Sequence, residues 1–146
     1  MIRINRQTDY AIRVLLALAE HRDEARRSTS EIRREMLIPP ALAQRVVADL
    51  ARGGFIVTYA GRDGGLELAR PPEQINLRQV VEFFEGPITI SDCMITEGEC
   101  PFDDKCPVRR RWARLQGTIA DEMENVTLSE LAKDASLIEA QEGGSP

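Results

Sequence analysis

Residues 39–68 read PPALAQRVVADLARGGFIVTYAGRDGGLEL, and this stretch decides the fold. Its first part predicts a helix, because apolar residues recur at helical spacing from Leu42 to Leu50 and Gly53-Gly54 can end the run. Proline is tolerated at the start of such a helix. The second part predicts a β-hairpin, because two β-prone runs flank residues 61–65, whose glycines supply the positive φ angles of a tight turn. We therefore expect a helix followed at once by a hairpin.

Two further helices are expected upstream of this stretch. The first runs from about Thr8 to His21 and has four apolar residues on one face, namely Ala11, Val14, Leu15 and Leu18. The second begins at the S-x-x-E capping box of residues 28–31. Three helices followed by a hairpin are the plan of a winged helix-turn-helix, in which the third helix enters the major groove of DNA. The sequence thus predicts a mainly α (α+β) fold, with residues 1–72 as a DNA-binding region.

The second half of the chain, residues 73–146, predicts a dimerisation element. Asn76 can cap one helix, and Pro107 can open a long one whose apolar residues recur every three or four positions, as in a coiled-coil seam. These residues are Val108, Trp112, Leu115, Ile119, Met123 and Val126. Because such a seam requires a partner helix, we expect a homodimer. A short terminal helix should follow the capping box at residues 127–130, with residues 142–146 as a frayed tail.

Charge is distributed unevenly along the 146 residues, whose formal net charge is −5. Residues 1–70 carry twelve arginines against nine acidic residues, whereas residues 71–146 carry seven basic against fifteen acidic residues. An acidic total does not exclude DNA binding, which depends on where positive charge is displayed. The apolar stretch at residues 14–19 is too short to span a bilayer or to act as a signal peptide, so we expect a cytoplasmic protein without membrane contact.

Three cysteines, Cys93, Cys100 and Cys106, lie within fourteen residues of a loop at about residues 92–107, and the chain has no others. An odd number cannot pair fully within one chain, and in a reducing compartment clustered thiols are more often metal ligands or redox sensors. Thiolates suit iron-sulfur clusters and zinc, so the residues leave iron-sulfur ligation, a zinc site and a thiol redox switch open. Neither Cys-x-x-Cys nor a cofactor fingerprint occurs, and we do not expect an enzyme.

Exposed residues of the second and third helices and of the hairpin are candidates for DNA contact. Gln can read adenine and Arg can read guanine in the major groove, and an arginine on a wing can enter a narrow minor groove. Arginines on the second helix suit phosphate contacts, which position the protein without specifying sequence. An ordinary solvated helix face is the alternative. The candidates are Ala41, Gln44 and Arg45 on the third helix, Arg62 on the wing, and Arg33 and Arg34 on the second helix.

Four features together resemble a known family of bacterial regulators. They are Thr8-Asp9-Tyr10-Ala11-Ile12-Arg13, the Gly-Arg-Asp-Gly-Gly wing, the three-cysteine loop and Thr127-Leu128-Ser129-x-Leu131. Over nearly its whole length the chain is similar to the iron-sulfur winged-helix transcription regulators that include IscR, NsrR and RirA. The resemblance implies a homodimer in which the cysteine loop, next to the dimerisation helix, holds a two-iron or four-iron cluster.

The resemblance also implies roles for single residues. The loop reads Cys93-x6-Cys100-x5-Cys106, and its second interval matches the common family spacing while the first is slightly longer. IscR-like members have a histidine ligand where this chain has Arg109, which cannot bind iron because it stays protonated. NsrR-like members can use an aspartate near the start of the first helix of the other subunit, and the matching residue is Asp9. Gln44 and Arg45 match base-reading positions, and Arg62 matches the wing position.

The sequence therefore predicts a homodimeric transcription regulator that binds double-stranded operator DNA, with a palindromic site expected from the dimer. Its affinity for the operator should change with the state of the iron-sulfur cluster, in response to nitric oxide, redox state or iron status. The alternative is a regulator of the same fold that senses thiol oxidation or binds zinc without a cluster.

Overall fold

The structure is a computed structural model that describes residues 3–95, 98–103 and 105–144. The first half contains three helices and two strands, which are α1 (Arg6–Glu20), α2 (Thr29–Glu35), α3 (Pro40–Arg52), β1 (Ile56–Tyr59) and β2 (Gly65–Leu68). The second half contains three helices, which are α4 (Leu77–Glu85), α5 (Pro107–Asn125) and α6 (Leu128–Gly143). Single 3-10 turns lie at Pro72–Gln74 and Asp92–Met94. This order confirms the mainly α fold with a two-stranded wing.

Side-chain caps fix the starts of the helices. The Ser28 hydroxyl accepts a hydrogen bond from the Glu31 backbone N–H, as the capping box predicted. Asn76 and Gln79 form a complete, reciprocal capping box at the start of α4. Helix α1 begins at Arg6, slightly before the predicted start at about Thr8, and the Asn5 side chain caps it by accepting from the Thr8 N–H.

A single hydrophobic cluster joins the two halves of the chain. More than half of its members lie in α1, α2 and α3, and it includes Val80 of α4 and Leu128 of α6. The fully buried aliphatic residues are Val14, Leu15, Ile32, Ile38, Val46, Leu50, Ile75, Val80 and Leu128. The apolar stripes predicted for the first three helices are therefore the core. The division of the chain at residue 72 stays a prediction.

The wing is an antiparallel pair of strands that runs from the pair Ile56↔Leu68 to the pair Tyr59↔Gly65. Arg27, between α1 and α2, extends this small sheet, because its backbone donates to the Leu66 carbonyl (3.0 Å) and accepts from the Leu66 N–H (2.7 Å). The wing is thus attached to the linker between the first two helices as well as to α3.

Helix α5 has 19 residues and leaves part of its apolar seam uncovered. Val108, Trp112 and Leu115 are 51%, 40% and 47% exposed in the protomer, whereas Ile119 and Met123, nearer the C-terminal end, are half-buried. A solvent-facing apolar stripe of this kind is unusual on a helix with no partner. This exposed seam favours the predicted homodimer.

The terminal helix is longer than predicted. α6 spans 16 residues, from Leu128 to Gly143, with Thr127 as its cap, so the expected fraying from residue 142 is wrong for residues 142 and 143. Its first half packs on the core through Leu131 and Ala132, and this contact sustains the helix. Ser145 and Pro146, the end of the expected tail, lie outside the described residues.

Backbone hydrogen bonds tie the start of α4 to the junction between α5 and α6. The Leu77 N–H donates to the Val126 carbonyl (3.0 Å), and the Leu128 N–H donates to the Ile75 carbonyl (2.9 Å). The Arg78 guanidinium also pairs with Glu124 (2.9 Å). The C-terminal end of α5 is therefore fixed to the core. Within the described residues, no helix combines the length and the apolar character that a membrane span requires.

Candidate metal centre and nucleic-acid interface

The three cysteines lie between α4 and α5, and all three are free thiols that are half-buried. Cys93 lies in the 3-10 turn Asp92–Met94, with its Sγ 3.2 Å from the Ser91 hydroxyl. Cys106 is the N-terminal cap of α5, and its Sγ accepts from the Arg109 backbone N–H at 3.4 Å. The role of this loop as a ligand site stays a prediction, and Thr96, Glu97 and Asp104 lie outside the described residues.

Asp103 and Arg109 connect the loop that carries Cys100 to the helix that Cys106 caps. The Asp103 carboxylate accepts from the Gly98 N–H at 2.6 Å, and its backbone N–H donates to the Cys100 carbonyl. The other carboxylate oxygen lies 3.8 Å from Arg109 Nε. Both of these atoms are buried without a hydrogen-bond partner among the described residues. Arg109 thus acts as part of the loop's framework.

The donor set and its surroundings fit an anionic iron-sulfur cluster. Three arginines, Arg109 to Arg111, lie at the start of α5, where the positive end of the helix dipole makes further positive charge unfavourable. A nearby negative group offsets this cost: the Asp103 carboxylate lies 3.8 Å from Arg109, and thiolates that hold a cluster would add to it. Among the residues that the structure describes, the buried Nε of Arg109 has no hydrogen-bond acceptor. The residues present therefore fit the group that the sequence implied.

The thiols do not converge on a single ion. Within the described ranges, the group of three possible ligands whose donor atoms lie within 4.8 Å of one another is Glu20, His21 and Glu35, at the C-terminal ends of α1 and α2. A cluster does not require such convergence, because its irons are separate ions and its cysteines bind different irons. A zinc ion binds all its ligands at one point, at about 2.3 Å for sulfur.

Ion pairs account for the group at Glu20, His21 and Glu35. The buried Arg27 guanidinium pairs with Glu35 at 2.6 Å, and His21 lies 3.3 Å from Glu24. Burial raises the pKa of Glu20 above its ordinary value, and the neighbouring carboxylates add to this shift. His21 caps the C-terminal end of α1. We assign this group to the framework of α1 and α2.

Asp9 lies in the first turn of α1, where its carboxylate is half-exposed and pairs with Arg13 at 2.9 Å. The partner is the residue one turn further along the same helix, and the contact uses the Oδ2 atom of Asp9. A ligand role for Asp9 requires the other subunit, and it stays a prediction.

The exposed face of α3 contains the residues predicted to read bases. Ala41, Gln44 and Arg45 are exposed, and Gln44 and Arg45 follow Ala41 by about one helical turn. The buried residues of α3 lie on the opposite side of the helix, and they are Ala43, Val46 and Leu50. Arg62 is exposed at the tip of the wing. On α2, Arg34 is exposed and donates to the Ser30 carbonyl, whereas Arg33 is half-buried. Exposure on these elements is the condition for DNA contact, and the contacts themselves stay predictions.

A groove between α2, α3 and the wing contains residues that the sequence did not single out. Its lining includes the hydroxyl residues Ser28, Thr29 and Thr58 together with Arg62. Hydroxyl groups commonly bind DNA phosphates. Arg26 was also missed, although its guanidinium covers the Tyr59 ring at 3.5 Å from the centroid. No local pattern marks either set, because the elements meet only in the folded chain.

Comparison with known proteins agrees with this fold. The chain is 28% identical over 134 residues to the HTH-type transcriptional regulator NsrR of Geobacillus kaustophilus, a span of 91% of each protein. Among solved structures, CymR, the global cysteine regulator of B. subtilis, superposes with a TM-score of 0.78 at 23% identity, over 91% of this chain and 98% of that one. IscR of T. potens superposes with a TM-score of 0.73 at 20% identity, over 92% and 88%. At these identities the two structures show the fold alone.

A sequence comparison with known protein families identifies the family of this chain. The family model Rrf2, described as an iron-dependent transcriptional regulator, matches residues 4–134. Such regulators bind DNA and are not enzymes, in agreement with the prediction from the motifs. The chain therefore belongs to the Rrf2 family of winged-helix transcriptional regulators.

Proposed function

We propose that this regulator is a homodimer whose affinity for operator DNA is switched by an iron-sulfur cluster bound to Cys93, Cys100 and Cys106. The observation that carries the proposal is the position of the thiols at the start of the half-exposed α5 seam, with Cys106 as the helix cap. A group bound there lies next to the surface on which two protomers would pair. Its gain or loss can therefore change how the protomers sit against each other.

DNA reading is assigned to α3 and the wing. In each protomer Gln44 and Arg45 would contact base edges in the major groove, with Ala41 facing a thymine methyl group, and Arg62 would enter the minor groove. Arg33 and Arg34 would neutralise phosphates. Because a symmetric dimer presents two identical reading heads, the operator should be palindromic, and the spacing of its half-sites follows from the dimer.

The switch needs only a modest coupling between the two sites. A bound cluster supplies an iron centre that reacts with nitric oxide or oxidants and is lost when iron is scarce. Asp9 of the partner subunit would complete the ligand set, and its hard carboxylate is a weak ligand that yields readily. A coupling of about 1–3 kcal/mol changes operator affinity by roughly 5- to 150-fold. The sign of this change, and hence whether the cluster-bound form binds DNA more tightly, is an outcome of the experiment.

The proposal is tested by purifying the protein without oxygen and counting iron and sulfide per dimer. An operator is recovered from random-sequence duplex DNA, and its affinity is then measured at one stated salt concentration for the loaded and the iron-free protein. We expect iron and sulfide in the wild type, their loss in Cys106→Ser, and at least a fivefold difference in affinity between the two forms. A protein that takes up no iron after reconstitution, or equal affinities, contradicts the proposal.

The Asp9 assignment has its own test. Asp9→Asn keeps the size of the side chain but removes the carboxylate ligand, and we expect an altered visible circular dichroism spectrum and faster reaction of the cluster with nitric oxide. Asp23→Asn, which changes an exposed aspartate just after α1, is the matched control. Identical spectra for Asp9→Asn and the wild type would exclude Asp9 as a ligand.

A second candidate is thiol sensing or zinc binding on the same fold. It is favoured by the structural likeness to CymR, a global cysteine regulator, and by the three free thiols. In that case the iron-free protein carries the regulation, and operator affinity changes on treatment with peroxide or on removal of zinc by a chelator. Both responses are measured in the same binding assay.

A further inference from the structure

The wing tip has little internal support. The ladder between β1 and β2 ends at the pair Tyr59↔Gly65, and the residues beyond it, 60–64, form the turn. Within this turn the Gly64 N–H donates to the Gly61 carbonyl at 3.1 Å. An arginine on so short a turn has many accessible orientations, and each must be lost when it binds DNA.

Arg26, from the linker between α1 and α2, holds this tip from outside. Its guanidinium carbon lies 3.5 Å from the centroid of the Tyr59 ring, a cation–π contact at the last residue of β1. Its Nη1 donates to the Asp63 carbonyl at 3.2 Å. Asp63 directly follows Arg62, so one side chain contacts both the base of the turn and the residue beside the wing arginine.

The linker that carries Arg26 is itself firmly anchored. The neighbouring Arg27 is 9% exposed, pairs with Glu35 of α2 at 2.6 Å, and donates to the Ala17 carbonyl of α1. A Cβ atom added at Gly65 would lie 2.7 Å from the Arg27 carbonyl oxygen and 3.3 Å from the Arg26 Cβ. The linker and the wing are therefore packed closely. Through this linker, the contacts that Arg26 makes with the wing tip are connected to α1 and α2.

We propose that Arg26 is a positioning residue for DNA recognition, which fixes the wing tip so that Arg62 is presented to DNA in one orientation. The inference rests on the proposed contact of the wing with DNA. Arg26 acts through Tyr59 and Asp63 and need not touch DNA itself. Its loss should weaken operator binding about five- to tenfold, the combined effect expected for one cation–π contact and one hydrogen bond.

The first test follows the tip without DNA. Trypsin cleaves after Arg62, and the rate of that cut in the native free protein is measured by mass spectrometry. We expect Arg26→Gln and Tyr59→Leu to increase the rate of cleavage after Arg62. The Tyr59→Leu variant removes the cation–π contact while the charge of Arg26 is kept. Arg22→Gln is the matched control, because Arg22 is exposed and pairs with Glu73 rather than with the wing. Melting temperatures and cluster content identify variants that are damaged elsewhere. An unchanged rate for both variants overturns the inference.

The second test measures operator affinity in a double-mutant cycle. If Arg26 acts by positioning Arg62, then Arg26→Gln weakens binding in the wild type but adds nothing in the Arg62→Ala background. Additive losses, with a salt dependence reduced by one further phosphate contact, would mean that Arg26 binds DNA directly and would overturn the positioning role. If Arg62→Ala binds the operator as well as the wild type, the proposed wing contact fails, while the cleavage assay still decides whether Arg26 holds the tip.

Discussion

Truncation of Leu115 to alanine should weaken the dimer by an amount that follows from its exposure. Full burial of a leucine side chain is worth about 1.5–3 kcal/mol. Leu115 is 47% exposed in the protomer, so about half of this value, roughly 1 kcal/mol, is gained on pairing. Because a two-fold interface contains the residue twice, we expect a loss of about 2 kcal/mol, which is about a 30-fold higher dissociation constant.

The assay is sedimentation equilibrium of the iron-free protein over a dilution series, so that a shared metal ligand does not contribute. Leu37→Ala is the control, because Leu37 is 81% exposed in the turn between α2 and α3, away from α5. A dissociation constant for Leu115→Ala within threefold of the wild type would refute the assignment of this face. An equal effect of Leu37→Ala would refute it as well.

Four further predictions concern base recognition by Gln44, a phosphate contact of Arg33, the pH dependence of stability and the packing of the wing. Gln44→Ala should reduce discrimination at one base pair by about 1–3 kcal/mol, and competition with single-site operator variants would reveal unchanged specificity if Gln44 reads no base. Because the homodimer contains Arg33 twice, Arg33→Ala should lower the slope of log affinity against log salt by about 1.8 without altering sequence preference, and an unchanged slope argues against a phosphate contact. Burial raises the pKa of Glu20 above its ordinary value. At a pH between the ordinary and the raised pKa, the folded protein therefore binds more protons than the unfolded chain, and the free energy of unfolding falls as pH rises through that window. Glu20→Gln should therefore melt at a higher temperature at pH 7 in calorimetry, with the gain disappearing below the ordinary carboxyl pKa; a lower melting temperature at pH 7 contradicts this. Gly65→Ala should cost at least about 1 kcal/mol in urea unfolding, because Gly65 has a φ of +141° and faces the Arg27 carbonyl, and wild-type stability would mean that the wing shifts freely.

The fold could be predicted because its signals are local. A hydroxyl at Ser28, the Asn76 and Gln79 pair and the glycines of the wing each determine a start or a turn within four residues of sequence. The length of α6 could not be predicted in this way. Its apolar residues face two environments, since Leu131 packs on the core whereas Leu137 is 62% exposed, and the resulting periodicity is weak.

The candidate site was predicted only as far as single residue types allow. Cysteine is rare enough that Cys93, Cys100 and Cys106 are visible as a group in the sequence. The contacts around them are not visible, because Asp103 and Arg109 are common surface residues whose pairing depends on the path of the loop. Arg26 and Tyr59 meet for the same reason, through the approach of a linker to a strand 33 positions later in the sequence.

Helix α5 runs from the cysteine loop to the hydrophobic core. Its C-terminal end is bonded to α4 through Val126, and its opposite end, about 28 Å away at 1.5 Å per residue, is capped by Cys106. A tilt of roughly 5° about the C-terminal end would displace the capped end by about 2.4 Å, so a small rotation of α5 would move Cys106 relative to the core. If the cluster and the operator are coupled as proposed, thermodynamic reciprocity requires that operator binding change the affinity for the cluster by the same factor by which the cluster changes the affinity for the operator.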